Sequence, residues 1–166
     1  MKALDSSVVV AALLGWHDAH EAAHRAAAGN AIPAHALLES YAVLTRLPAP
    51  HRIAPADAEM LLAGWFPPER VLLPSARLTT GIVARFARAG VSGGACYDAL
   101  VGLTASGHGL ALLTRDRRAG RPPHPVSTSL FRVISPPALI WCGCRSTARR
   151  ARSRSMGAAN LSRRQS

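Results

Sequence analysis

Apolar residues along this chain come in two spacings. Residues 2–5, "NAIP", "ERVLLP" and "LALLT" are short and largely continuous in apolar character, the pattern of strands covered on both faces. Between them lie segments with the wider spacing of helices. "DSS" at Asp5–Ser7 is a capping cluster that ends the first strand near Asp5 and opens a helix from about Ser7 to Leu14. "HDAHEAAHRAAAG" reads as a second helix closed by Gly29. From Ala34, "AHALLESYAVLTRL" gathers Leu37, Leu38, Tyr41, Val43, Leu44 and Leu47 largely on one side, and Pro48 ends it.

"APADAEMLLAGWF" begins with proline in its first turn and gives a fourth helix. "SARLTTGIVARFARAG" is a fifth, stopped by Gly90, and "GGACYDALVGLTASGHG" a sixth, entered and left through glycine. Strands alternating with helices predict an α/β fold, a three-layer sandwich with a central parallel sheet flanked by helices. The chain has 166 residues, 49% of them hydrophobic, enough for one sizeable core. No apolar stretch approaches the roughly 18 residues that span a bilayer, and Asp5 and two serines interrupt the apolar N-terminus, so no membrane role is expected.

Charge divides the chain in two. The formal net charge is +11, but residues 1–118 hold 11 basic against 9 acidic side chains, and residues 119–166 hold 9 arginines and no acid. The change falls inside "ALLTRDRRAGRPPHP". It predicts one folded domain over residues 1–119 and an Arg/Pro/Ser-rich, disordered tail over 120–166. The abruptness of the change suggests a shift of reading frame near Ala119, the alternative being a genuine, divergent extension. Within the tail, "LFRVI" offers one substitute for a final edge strand, around Leu130 to Ile134, amid five prolines in residues 120–140. Cys96, Cys142 and Cys144 form no disulfide framework, which suits a reducing cytoplasm.

In an open parallel sheet, ligands sit beyond the carboxyl ends of the strands. Asp5 ends the first strand and Asp116 follows the last; Glu39 lies in the first turns of the helix after the second strand, and Asp98 in the first turns of the sixth helix. Each has a plain structural alternative: Asp5 as a helix cap, Asp98 as a dipole partner, Asp116 as a turn opener. Taken together they bring four carboxylates to one edge, where mutual repulsion raises their pKa values unless a cation intervenes. Hard ions such as Mg²⁺ or Mn²⁺ take oxygen ligands and activate water toward phosphodiesters.

"LDSSVVVAAL", "PAHALLESYAVLTRLP", "GGACYDALVGLTASGHG" and "LALLTRDRRA" together resemble a PIN-domain ribonuclease, of the VapC type found in VapBC toxin–antitoxin pairs, over about residues 2–119. The resemblance implies that Asp5, Glu39, Asp98 and Asp116 are the catalytic, metal-binding acids, with Ser6 and Thr114 as supporting polar groups. Asp5, Asp98 and Asp116 would hold one Mg²⁺ or Mn²⁺, and Glu39 would complete its shell or bridge to a second. Arg115, Arg117 and Arg118 flank the last carboxylate and would grip RNA phosphates, unless they are ordinary surface charge. The resemblance further implies an RNA substrate, a cognate VapB-like antitoxin and a homodimer.

Two other readings compete. "HEAAH" matches the H-E-x-x-H pattern, in which His20 and His24 bind zinc and Glu21 acts as base, with His17 extending the same face. Against it, Ala27 stands where the longer pattern has glycine, and a third ligand would have to come from Glu39 or Glu59. The remaining alternative is a non-enzymatic RNA binder acting through its arginine-rich tail, with steep salt dependence.

Overall fold

The computed structural model describes residues 1–116 and 132–134. Its elements, in chain order, are β1 (Ala3–Leu4), α1 (Ser6–Leu13), α2 (His20–Ala27), β2 (Ile32–Pro33), α3 (Ala34–Arg46), α4 (Pro55–Trp65), β3 (Val71–Leu72), α5 (Ala76–Ala89), α6 (Ala95–Gly107), β4 (Leu112–Thr114) and β5 (Arg132–Ile134). The expected alternation is present, and the architecture is the α/β three-layer sandwich.

The strands are short because each is apolar for only a few residues before a helix signal intervenes. β1 pairs in parallel with β4, Ala3 opposite Leu112 and Leu4 opposite Leu113. β2 pairs in parallel with β3, and a parallel bridge between Ala3 and Ala31 joins the two halves. Parallel pairing puts the carboxyl ends of β1 and β4 on one edge, so Asp5 and the Thr114–Asp116 segment leave the sheet side by side. β5 runs antiparallel to β4, with Thr114 opposite Arg132. It falls within the segment where the tail's composition offered a substitute strand, so the folded sheet reaches beyond residue 119. The remainder of the expected tail, including Cys142 and Cys144, lies outside the described residues.

Leu4, Val8, Val9, Ile32, Leu44 and Val101 are fully buried or nearly so and form the centre of the core between sheet and helices. Burying side chains of this size contributes about 1.5–3 kcal/mol each. Three expectations shift in detail. The second helix begins at His20 rather than His17, because residues 15–19 form turns entered through Gly15. On α3 the apolar side is broader than the surface the core covers: Leu44 is buried, Leu37 and Tyr41 are half-buried, and Leu38 is 63% exposed. The strand expected in "ERVLLP" shrinks to Val71–Leu72, because Pro68–Arg70 turn as a short 3₁₀ helix before it.

Among the described residues, no helix is long and apolar enough to cross a membrane.

Candidate active site

Asp5 is both a cap and the centre of a hydrogen-bonded cradle. Its backbone is extended as it leaves β1, and its Oδ1 accepts the main-chain N–H of Ser6 at 2.9 Å, capping α1. Its Oδ2 accepts two hydroxyls, Ser7 Oγ at 2.8 Å and Thr114 Oγ1 at 2.6 Å. Those hydroxyls in turn accept main-chain amides: Arg115 N–H donates to Ser7 Oγ at 3.0 Å, and Asp116 N–H donates to Thr114 Oγ1 at 3.0 Å. Asp5 N–H itself donates to the Leu113 carbonyl at 2.9 Å. The capping and catalytic readings of Asp5 are therefore compatible: one carboxylate oxygen caps the helix while the other ties β1 to the segment carrying Asp116.

Thr114 is 1% exposed and sits at the centre of this lattice. A buried hydroxyl must be hydrogen-bonded to avoid a cost of about 1–3 kcal/mol, and Thr114 meets that demand by donating to one acidic residue and accepting from the other. Of the two serines after Asp5, Ser7 supplies its hydroxyl to the carboxylate, whereas Ser6 acts through its backbone amide. Sequence reasoning chose Ser6 and passed over Ser7. The signal that separates them is the position two residues beyond an N-cap acid, from which a serine hydroxyl can fold back onto the capping carboxylate.

Asp98 and Glu39 approach from the helices. Both are exposed residues, Asp98 in the first turn of α6 and Glu39 in the first half of α3. The Asp98 carboxyl has its pKa raised above 3.8, first by its own partial burial, then by the charges of Asp5, Glu39 and Asp116; His35 pulls it downward. Since Asp98 as a residue stays open to solvent, the three neighbouring carboxylates are the more informative cause. Asp98 feels all three other acids of the predicted set, so the fold brings the four into one electrostatic neighbourhood. Among the described residues, no three Asp, Glu, His or Cys side chains already converge on a single coordinating point.

The donor chemistry nevertheless fits a hard divalent ion. All four candidate ligands are carboxylates, no cluster of three Cys, His, Asp or Glu competes among the described residues, and the carboxylates' mutual repulsion is the charge imbalance that Mg²⁺ or Mn²⁺ would relieve.

Arg115 does not lie open beside the acids. Its Nη1 donates to His17 Nε2 at 2.8 Å, and its Nη2 lies 3.4 Å from Asp18 Oδ1. Because arginine cannot accept, His17 Nε2 is the acceptor of that contact, while Nδ1 is met by the Ala19 N–H at 3.1 Å and lies 2.7 Å from Asp18 Oδ1. Arg117 and Arg118 lie outside the described residues.

The H-E-x-x-H segment folds as α2 but gathers no zinc set. His20 Nδ1 and His24 Nδ1 lie 3.3 and 3.4 Å from the Ala11 and Ala12 carbonyls, so both rings dock on the end of α1. Glu21 points to solvent, 3.8 Å from Arg25. The histidines join two helices, and no acid or cysteine completes a site with them among the described residues.

The family model for the PIN domain matches residues 2–124, which contain all four carboxylates. The chain belongs to the PIN-domain family. Ribonuclease VapC40 of Mycobacterium tuberculosis strain H37Rv is 49% identical over 120 residues, covering 72% of this chain and 89% of the relative. Ribonuclease VapC27 of the same strain is 46% identical over 122 residues, covering 70% of this chain and 85% of the relative. Within the PIN-domain family the resemblance is thus to the VapC type, and the matched span ends before β5.

Two neighbours of this PIN-domain site escaped sequence reasoning. His35 lies one helical turn before Glu39 on α3, and Tyr97 immediately precedes Asp98 on α6. Their rings stack, 5.0 Å apart and inclined by 9°. The spacing of His35 and Glu39 by four residues was the available clue, since such residues share a helix face.

Proposed function

We propose that this chain is a divalent-metal-dependent endoribonuclease, the toxin of a toxin–antitoxin pair. The observation that carries the reading is the meeting of carboxylates at the sheet edge: Ser7 and Thr114 tie Asp5 to the backbone of Arg115 and Asp116, and Asp98, raised in pKa by burial and then by Asp5, Glu39 and Asp116, lies in the same neighbourhood. Its family relatives bear the name ribonuclease VapC, which supports RNA as the substrate. Asp5, Asp98 and Asp116 would hold one Mg²⁺ or Mn²⁺, and Glu39 would complete its shell or serve a second ion. Bound there, such an ion supplies an activated water and positive charge against the oxygens of a phosphodiester in its transition state.

The protein's own groups prepare that event. Ser7 and Thr114 fix the Asp5 carboxylate before any ligand arrives, and the same two hydroxyls set the backbone of Arg115 and Asp116. Asp98 retains its proton to higher pH than an ordinary aspartate and yields it when positive charge enters, so binding the ion and ionising Asp98 are coupled. Arg117 and Arg118 are the arginines assigned to RNA phosphates, whereas Arg115 braces the loop at His17.

A VapB-like antitoxin is the proposed protein partner. An apolar groove of about 610 Å³ between α3 and α4, lined by Leu37, Leu38, Tyr41, Leu62 and Phe66, has the character that an amphipathic helix seeks. A homodimer in the cytoplasm completes the reading. All the proposed catalytic acids lie within residues 1–119, and the residues after 119 contribute structure through β5 rather than chemistry.

The test is cleavage of a mixed pool of tRNA and rRNA by the full chain with Mg²⁺ or Mn²⁺, beside Asp98→Asn. Metal-dependent cutting by the parent that disappears in the variant is the expected result. Cutting that persists in Asp98→Asn, or RNA binding with no cutting under either metal, would overturn the assignment.

A further inference from the structure

His35 and Tyr97 stand at the rim of the acidic site, one on each of the two helices that deliver the exposed carboxylates. Their rings are nearly parallel, with centroids 5.0 Å apart and an interplanar angle of 9°. His35 is half-buried and affects the charge state of Asp98, so the imidazole lies within electrostatic reach of the site. Tyr97 is 58% exposed even though His35 covers part of its ring. A large aromatic side chain left this open beside an acidic centre has no core to serve. Its stacking partner fixes the ring plane, which a lone surface tyrosine would not have.

We infer that Tyr97, backed by His35, is a stacking platform for a nucleobase of the RNA next to the phosphate that the carboxylates address. Single-stranded RNA is recognised by splaying bases onto aromatic faces, and every base has such a face. The platform continues a stack of base, phenol and imidazole, and the rigid underside lowers the ordering needed when the base arrives. It favours unpaired nucleotides, because a base held in a duplex cannot lie on the ring. Tyr97 is thus a substrate-positioning residue that selects loops or other single-stranded segments. The inference rests on the ribonuclease reading above and adds to it where the substrate sits.

The experiment uses the full chain with tRNA transcripts carrying 5-iodouridine, irradiated in Ca²⁺, followed by identification of the crosslinked peptide. Steady-state cleavage of the same transcripts with Mg²⁺ or Mn²⁺ runs alongside for the parent, Y97W, Y97L and Y97A. The crosslink should fall on Tyr97 and persist in Y97W. Y97L and Y97A should lose it and raise KM by about fivefold to a hundredfold, the range of base–aromatic stacking, while kcat stays within about threefold. Y97L keeps apolar bulk against His35, so a KM effect in it is separable from loss of packing, and unchanged thermal melting checks the fold. If the parent cleaves RNA but Y97L and Y97A leave KM and crosslinking unaltered, the platform is refuted and the nuclease stands. A parent that neither crosslinks nor cleaves removes both.

Discussion

The two sides of the acidic site are built on opposite principles. On the sheet side, Asp5 accepts three hydrogen bonds, and the hydroxyls that serve it are themselves tied to the backbone of the facing segment. On the helix side, Asp98 and Glu39 are exposed, and what connects Asp98 to the other acids is charge. One half is ordered by hydrogen bonds within the protein; the other is exposed and linked to it by charge. A site can combine precision with responsiveness by dividing them between a rigid sheet edge and two helix starts.

Breaking the helix side should have the largest effect. If Asp98 is the metal ligand proposed above, cleavage of a tRNA and rRNA pool by Asp98→Asn should fall by more than about a hundredfold, beyond what loss of a supporting hydrogen bond costs. Chelation with EDTA should match it in the parent, with recovery on adding Mg²⁺ or Mn²⁺.

Breaking the sheet side should cost less activity but more stability. Thr114→Val keeps the shape and deletes the hydroxyl that joins Asp5 to Asp116; activity should drop about tenfold to a hundredfold, as for groups that orient metal ligands. The melting temperature should fall as well, since the Asp116 amide loses its acceptor. Ser7→Ala should act in the same direction and less strongly, because Thr114 still donates to Oδ2. A Thr114→Val protein with full activity would show that the cradle serves folding alone.

The contrast also has a pH signature. A carboxyl whose pKa is raised on folding binds more protons in the native state than in the unfolded state across the interval from 3.8 up to its native value. Its contribution to stability is fully present below 3.8 and is lost as pH rises through the native pKa. Metal-free protein should therefore weaken over that interval in denaturant titrations, Asp98→Asn should flatten the dependence, and Mg²⁺ should stabilise the parent more at the upper end than at the lower. The smallest expected effect is on α2: Glu21→Gln breaks an exposed pair with Arg25 that is worth at most about 0.5 kcal/mol, and RNA cleavage should not change.

Much of this arrangement is legible in the residues. Asp5 followed by two serines announces a strand end and a helix start together, and the glycine-flanked helix carrying Asp98 announces another. Chain order alone then places the four acids at one edge, because parallel strands share a direction. What was not legible is pairwise geometry. Nothing in "DSS" says which serine hydroxyl turns back to the carboxylate, since that depends on the backbone angle at the cap. Nothing in "TRD" says that Arg115 faces His17, almost a hundred residues earlier. Leu38 looked like core because helical spacing gives a direction but not the width of the surface a helix meets. The H-E-x-x-H match failed for the complementary reason: its spacing is right, but among the described residues no third ligand joins the two rings, whose Nδ1 atoms lie against carbonyls of α1.

β5 pairs with β4 from a position well past the last carboxylate, with Arg132 opposite Thr114. At the level of alleles, this makes codons downstream of Asp116 part of the apparatus that holds the site. A premature stop before Arg132 would leave all four acids encoded, yet free one flank of the strand that carries Thr114. Truncated alleles of this kind would be read as intact toxins by any inspection of the four acids, while their protein carried an open sheet edge beneath the site.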